Sequence, residues 1–109
     1  AGEGVGVVGI VGDESIPREY RLSQNYPNPF NPTTVIHYEL PQSGEVSLGI
    51  YNLLGQKIKT LVRGYQSAGR YDVEWRGEND RGTLVGSGVY IYRFESGDYQ
   101  RTLKMILMK

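Results

Sequence analysis

The chain has 109 residues, enough for one compact domain, because a single hydrophobic core normally organises roughly 100 to 150 residues. Its 15 glycines and nine tyrosines favour turns and strands over long helices. The formal net charge is zero and cysteine is absent, which argues against a nucleic-acid-binding basic stripe and excludes disulfides, thiolate nucleophiles and Cys-based zinc sites.

The first 17 residues are rich in glycine, with Val and Ile between the glycines and Pro17 at the end. This composition predicts a linker or the end of a preceding domain over residues 1–17 and a folded domain over residues 18–109. A basic signal-peptide region is missing here, so we expect any signal peptide to lie on a longer precursor. Residues 4–9 match G-x-G-x-x-G, but too few residues precede them to form the strand that a nucleotide site requires.

From residue 18 onward the apolar residues alternate with polar ones, which predicts half-buried strands. The predicted strands cover residues 20–22, 33–40, 45–52, 57–63, 71–76, 89–95 and 99–108. In the fourth, Leu61 breaks the alternation of Ile58 and Val62, which predicts a bulge. Residues 64–69 are predicted to form a loop. Seven short strands with no helical period favour an all-β, antiparallel two-sheet sandwich, with a small barrel as the alternative.

Residues 25–32 contain three prolines and three asparagines. Proline fixes φ and asparagine side chains bond nearby backbone, so this segment predicts an ordered, turn-rich crossing. It is not expected to be a central strand, because proline cannot donate to a sheet ladder.

Catalytic candidates are few. His37, the only histidine, is predicted to face outward from a strand, in a chain with no Cys and no second His. Ser87 does not lie in a G-x-S-x-G turn. We therefore expect no enzymatic activity, no metal and no cofactor. A weak calcium site remains an alternative for four carboxylates whose spacing does not fit an EF-hand loop. These are Asp72, Glu74, Glu78 and Asp80.

Aromatic residues could also form a carbohydrate-binding face, because their rings offer flat apolar surface with a polar edge. The alternation assigns Trp75, Tyr90 and Tyr92 to the core. The remaining exposed candidates are Tyr51, Tyr65 and Tyr99.

The segment Tyr20–Thr34 reads YRLSQNYPNPFNPTT and resembles the opening of the C-terminal sorting domains of the type IX secretion system. The similarity continues through residues 50–56, 87–93 and 104–109, and so covers about residues 19–109. The family motif positions are Asn25, Tyr26, Pro27, Asn28, Pro29, Phe30, Asn31, Pro32, Gly55, Gly88 and Tyr90. Parts of residues 51–90 also resemble the immunoglobulin-like domain of flagellar hook-capping proteins, which implies an immunoglobulin-like sandwich.

The resemblance implies a module that sorts a cargo protein and anchors it. The cargo would enter the periplasm and then be recognised by shuttle proteins and the outer-membrane type IX translocon. A sorting protease would cut near residues 1–18, and in many members lipopolysaccharide is attached at the cell surface. The alternative is a carbohydrate-binding or structural immunoglobulin-like accessory module of a secreted multidomain enzyme.

We expect the recognition signal on the final strand. It comprises Lys104, Met105, Ile106, Leu107, Met108 and Lys109. Leu103, Met105 and Leu107 would fix this strand to the sandwich, while the lysines and an exposed strand edge would be open to a receptor sheet.

Overall fold

The computed structural model describes residues 16–109, so the linker predicted for residues 1–17 lies almost wholly outside them. The strands are β1 Arg21–Leu22, β2 Thr34–Leu40, β3 Gly44–Tyr51, β4 Lys57–Gln66, β5 Gly69–Trp75, β6 Gly88–Ser96 and β7 Tyr99–Leu107. They form a three-stranded sheet in the order β1-β2-β5 and a four-stranded sheet in the order β4-β3-β6-β7, with antiparallel pairing throughout. The predicted all-β two-sheet sandwich is confirmed. Residues 16–109 contain no helix with the length and hydrophobicity needed to span a membrane.

The core follows from the alternation of the strands. Most alternate side chains of β2, β3 and β6, and those at the end of β7, are buried between the two sheets, and most of them are apolar. The most buried are Ile36, Tyr38, Leu40, Leu48, Ile50, Trp75, Tyr92, Phe94, Met105 and Leu107. Each such burial contributes roughly 1.5–3 kcal/mol of gross stabilisation, so the same alternation that defines the strands also brings the sheets together.

The fourth strand differs from its prediction at one end and agrees with it in the middle. Residues 64–66, predicted as loop, continue β4 and pair with β3, because cross-strand pairing outweighs the low strand preference of Gly64. The predicted bulge is confirmed: Leu48 pairs with Val62 and Gly49 with Thr60, which leaves Leu61 without a partner in the register.

The sandwich has two chemically different ends. Because the strands alternate in direction, the short turns at residues 41–43, 67–68 and 97–98 lie at one end, which we call the short-turn end. At the other end lie residues 23–33, 52–56, 76–87 and 108–109. We call it the motif end, because it holds the Asn- and Pro-rich segment, residues 25–32.

Candidate functional site

The final strand, β7, lies at the edge of the four-stranded sheet. Its side chains alternate, with Met105 and Leu107 fully buried in the core. Lys104, Ile106 and Met108 face outward and are exposed. The six residues predicted as a recognition signal therefore divide between anchoring the strand and forming surface.

The Asn- and Pro-rich segment lies directly along the outer edge of β7. The Phe30 amide donates to the Ile106 carbonyl over 2.9 Å, and the Met108 amide donates to the Phe30 carbonyl over 2.9 Å. The Asn28 Oδ1 atom accepts from the Ile106 amide at 2.9 Å, and Gln24 Nε2 donates to the Lys104 carbonyl at 2.7 Å. Two motifs separated by about 80 residues thus form one continuous surface.

This contact corrects the expectation of an exposed terminal edge. Between Lys104 and Met108 the outward backbone groups of β7 are largely bonded to the Asn- and Pro-rich segment. Covering an edge in this way prevents uncontrolled strand addition. A receptor strand could pair with residues 104–108 only if this segment first detached.

The segment is held from beneath by a buried polar network. Asn25 is 2% exposed, and its backbone amide donates to Tyr92 Oη at 2.9 Å. Tyr92 Oη in turn donates to the Ser23 carbonyl at 2.7 Å. Asn25 Nδ2 donates to Thr34 Oγ1 at 3.0 Å, and Thr34 Oγ1 donates to the Pro27 carbonyl at 2.8 Å. Burial raises the pKa of Tyr92 to about 12, so its hydroxyl stays protonated and can donate.

The motif positions consequently have different roles. Asn25, Phe30 and Tyr90 are buried. The Trp75 ring contacts both aromatic residues, with ring centroids 5.7 Å from Phe30 and 5.5 Å from Tyr90. Gly55 adopts φ 85°, which favours glycine in its turn. The exposed motif positions are Tyr26, Pro27, Asn28, Pro29, Asn31, Pro32, Gly55 and Gly88. Sequence reasoning missed Gln24 and the hydroxyl of Tyr92, because their partners lie far away along the chain.

The charge of this surface is positive. Lys104 and Lys109 are exposed and form no ion pair with any residue of the described range 16–109. The Lys109 amide donates to Ser87 Oγ at 3.0 Å, which holds the end of the chain against the start of β6.

His37 lies on the opposite sheet, facing outward as predicted. Its Nδ1 is 2.7 Å from Asp72 Oδ1 and its Nε2 is 2.7 Å from Glu39 Oε2. Partial burial disfavours the charged imidazole, but hydrogen bonds to both carboxylates outweigh it and raise the pKa of His37. The hydrogen bond from His37 lowers the pKa of Glu39, and Arg21 and Arg70 act in the same direction. This cluster is an ion-pair network of His37, Asp72, Glu39 and Arg70.

The carboxylates considered for calcium do not converge. Asp72 contacts His37, Glu74 Oε1 lies 3.0 Å from Arg76 Nε, and Asp80 Oδ1 accepts from the Thr60 amide at 3.0 Å. Within the described part of the chain, no three acidic or histidine side chains form a group that could hold a metal ion.

Of the three tyrosines considered for carbohydrate, Tyr51 and Tyr65 lie on the outer face of the four-stranded sheet, whereas Tyr99 packs against the buried Phe94. Tyr99 stacks on Tyr20 with ring centroids 5.1 Å apart, whereas Tyr65 is 70% exposed on β4. Tyr51 lies over Gly49, where a Cβ atom would sit 3.2 Å from its ring. Shallow grooves of about 460 and 230 Å³ flank Tyr51.

Comparison with known proteins places this fold in a family. The sequence profile of the FlgD Ig-like domain matches residues 30–100. No curated protein sequence matches the chain significantly.

Three solved structures share the fold. Dimeric latent PorU from Porphyromonas gingivalis has a TM-score of 0.63 and 19% identity, over 79% of this chain and 9% of that one. PorZ, described as an essential surface component of the type IX secretion system of P. gingivalis, has a TM-score of 0.52 and 18% identity, over 79% of this chain and 11% of that one. FlgD from P. aeruginosa has a TM-score of 0.52 and 19% identity, over 72% of this chain and 67% of that one.

These identities establish a shared fold and no more. The chain spans about a tenth of PorU and of PorZ. The profile match, in contrast, includes well over half of the sequence and runs from the Asn- and Pro-rich segment into β7. The chain therefore belongs to the FlgD Ig-like domain family.

Proposed function

We propose that this Ig-like domain is a sorting and anchoring module of the type IX secretion system and that it catalyses no reaction. One observation carries the proposal: the first and last of the stretches that resemble sorting domains, residues 20–34 and residues 104–109, are hydrogen-bonded to each other through residues 24–30 and 104–108. They form a single surface rather than two unrelated motifs. The shared fold with PorZ, a surface component of that system, supports the same function.

Recognition would use side chains on this surface. Tyr26 is 80% exposed and Ile106 39% exposed, and Lys104 and Lys109 add two cations without ion-pair partners among residues 16–109. A receptor with an apolar pocket and nearby carboxylates would complement them. Strand addition is a less favourable route, because freeing residues 104–108 would also expose Phe30, which is 2% accessible.

The partners follow from this function. Shuttle proteins and the outer-membrane translocon would bind the surface, and a sorting protease would act near residues 1–18. The cargo would pass through the periplasm to the cell surface, where lipopolysaccharide attachment is an additional step.

A secretion assay tests the proposal. The whole chain is fused behind a periplasmic fluorescent reporter in a host with the type IX machinery, and surface fluorescence is measured. We expect the fusion to reach the surface and the double variant Lys104→Glu, Lys109→Glu to reduce the surface fraction by about tenfold. Deleting residues 104–109 is a poorer test, because Met105 and Leu107 are part of the core.

A matched control is the double variant Lys59→Glu, Arg63→Glu, which makes the same total charge change on β4, at the other edge of the sheet. It should be secreted like the parent. A folded fusion that stays in the periplasm, or a double variant that is secreted normally, contradicts the proposal.

A carbohydrate-binding role is the second candidate, and the position of Tyr51 favours it. The ring lies over Gly49 between the two grooves, with Lys57 Nζ 5.9 Å from the ring centroid and Ser47 beside the larger groove. Such a platform suits the apolar face of a sugar ring. Titration with a panel of oligosaccharides should then give saturable binding that Tyr51→Ala removes, and absence of binding rejects this role.

A further inference from the structure

The turn between β3 and β4 presents two leucines to solvent. Leu53 is 63% exposed and Leu54 is 84% exposed. The turn is ordered by Asn52, whose Oδ1 accepts from the amides of Leu54 and Gln56 at 2.9 and 3.0 Å. The leucines are therefore held outward by a defined turn.

A second turn in the same molecule shows that this geometry does not require apolar residues. In Asn79–Thr83, Asn79 Oδ1 accepts from the amides of Arg81 and Thr83 at 2.9 and 3.0 Å. Gly82 has φ 83°, close to the 85° of Gly55. The two positions equivalent to the leucines carry Asp80 and Arg81. Exposed leucines at residues 53 and 54 thus have no explanation in the turn itself.

The motif end holds further apolar and basic groups. Leu84 is 58% exposed and Met108 56% exposed, each on a different connection at this end. The cations near them are Lys57, Arg81, Lys104 and Lys109, which form no ion pairs within residues 16–109. The turns at the short-turn end, at residues 41–43, 67–68 and 97–98, contain no large apolar side chain apart from Pro41.

We propose that the motif end binds an anionic lipid surface, with Leu53 and Leu54 entering the headgroup region. Large exposed apolar side chains and cations at one end of the sandwich match a membrane surface, which combines an apolar interior with negatively charged headgroups. A planar surface of this kind can contact several loops of one end together. This inference goes beyond the proposed sorting function and does not depend on it.

Vesicle flotation tests the inference with the whole chain. The two vesicle types are phosphatidylcholine alone and an equal mixture of phosphatidylcholine and phosphatidylglycerol. We expect binding to the mixed vesicles, little binding to phosphatidylcholine alone, and loss of binding at high salt, because exposed charges are screened. The double variant Leu53→Ser, Leu54→Ser should bind the mixed vesicles about fivefold or more weakly.

The matched control is Tyr65→Ser, which removes an exposed apolar side chain of β4 that pairs with Glu45, towards the short-turn end. It should bind like the parent, and circular dichroism should show all three proteins folded. Absence of binding to mixed vesicles, or equal binding by the leucine variant, overturns the inference. If the leucine variant instead reduces secretion of the reporter without any vesicle binding, the occupant of this end is a protein and the lipid proposal is wrong.

Discussion

The four-stranded sheet protects its two edges in different ways. Along β7 the cover is a chain segment tied into the core, with Phe30 buried against Trp75 and Asn25 bonded to Tyr92. Along β4 the cover is local: Asp80 Oδ1 accepts from the Thr60 amide, and the Asp80 amide donates to the Ile58 carbonyl. A single side chain is enough to blunt a strand edge. The cover of β7 is therefore larger than edge protection alone requires.

The substitution with the largest expected effect is Phe30→Ala. It removes the buried ring that anchors the cover of β7, and a truncation of this kind usually costs about 3–5 kcal/mol. Urea unfolding would measure the loss, and hydrogen exchange should show reduced protection of the Ile106 and Met108 amides. If stability falls by less than about 1 kcal/mol, the cover is not tied to the core and the two edges are alike.

Tyr92→Phe separates the polar anchor from the apolar one. It keeps the packed ring and removes the hydroxyl that bonds both Ser23 and Asn25. Leaving buried groups unpaired costs about 1–3 kcal/mol, which thermal unfolding would detect. Tyr90→Phe is the control, because its hydroxyl donates to the Gly86 carbonyl and, among residues 16–109, to no second group. Equal losses of stability for both variants would mean that the network around Asn25 stabilises the fold no more than the single hydrogen bond of Tyr90 does.

Asn28→Ala tests the direct contact with the strand edge. It removes the acceptor for the Ile106 amide and should cost about 0.5–1.5 kcal/mol, with faster exchange at Ile106. Its counterpart on the other edge is Asp80→Ala, which should accelerate exchange at Thr60 and change stability less. A larger loss of stability for Asp80→Ala would mean that the β4 edge, and not the β7 edge, has the stronger cover.

The smallest expected effect is on the pH dependence of stability, through His37 on the three-stranded sheet. The pKa of His37 is raised in the folded protein. Protonated His37 therefore contributes fully to the free energy of unfolding below the unfolded pKa near 6.5, and this contribution is lost as pH rises through the folded pKa. For a largely surface cluster we expect about 0.5 kcal/mol. His37→Gln should flatten the stability curve at pH values above the unfolded pKa near 6.5. The edge contacts of β7 use neutral groups and should not change over this range.

Much of the fold could be predicted from the sequence because it depends on local alternation. The strands, their buried faces and the bulge at Leu61 follow from which side chains avoid water. The extent of β4 could not, because Gly64 has weak strand preference and pairs only when β3 is beside it. For the candidate surface, the motif residues were identifiable from the sequence, but the contact of Phe30 with Ile106 was not.

The sequence by itself determined the alternation of apolar side chains and the ordered character of the Asn- and Pro-rich segment. Only the tertiary structure decided that this segment covers β7, that Tyr92 supports it, and that Leu53 and Leu54 share an end with Met108. The physical reason is distance along the chain. Alternation is a property of neighbouring residues, whereas a hydrogen bond between Asn28 and Ile106 exists only after the two sheets have packed.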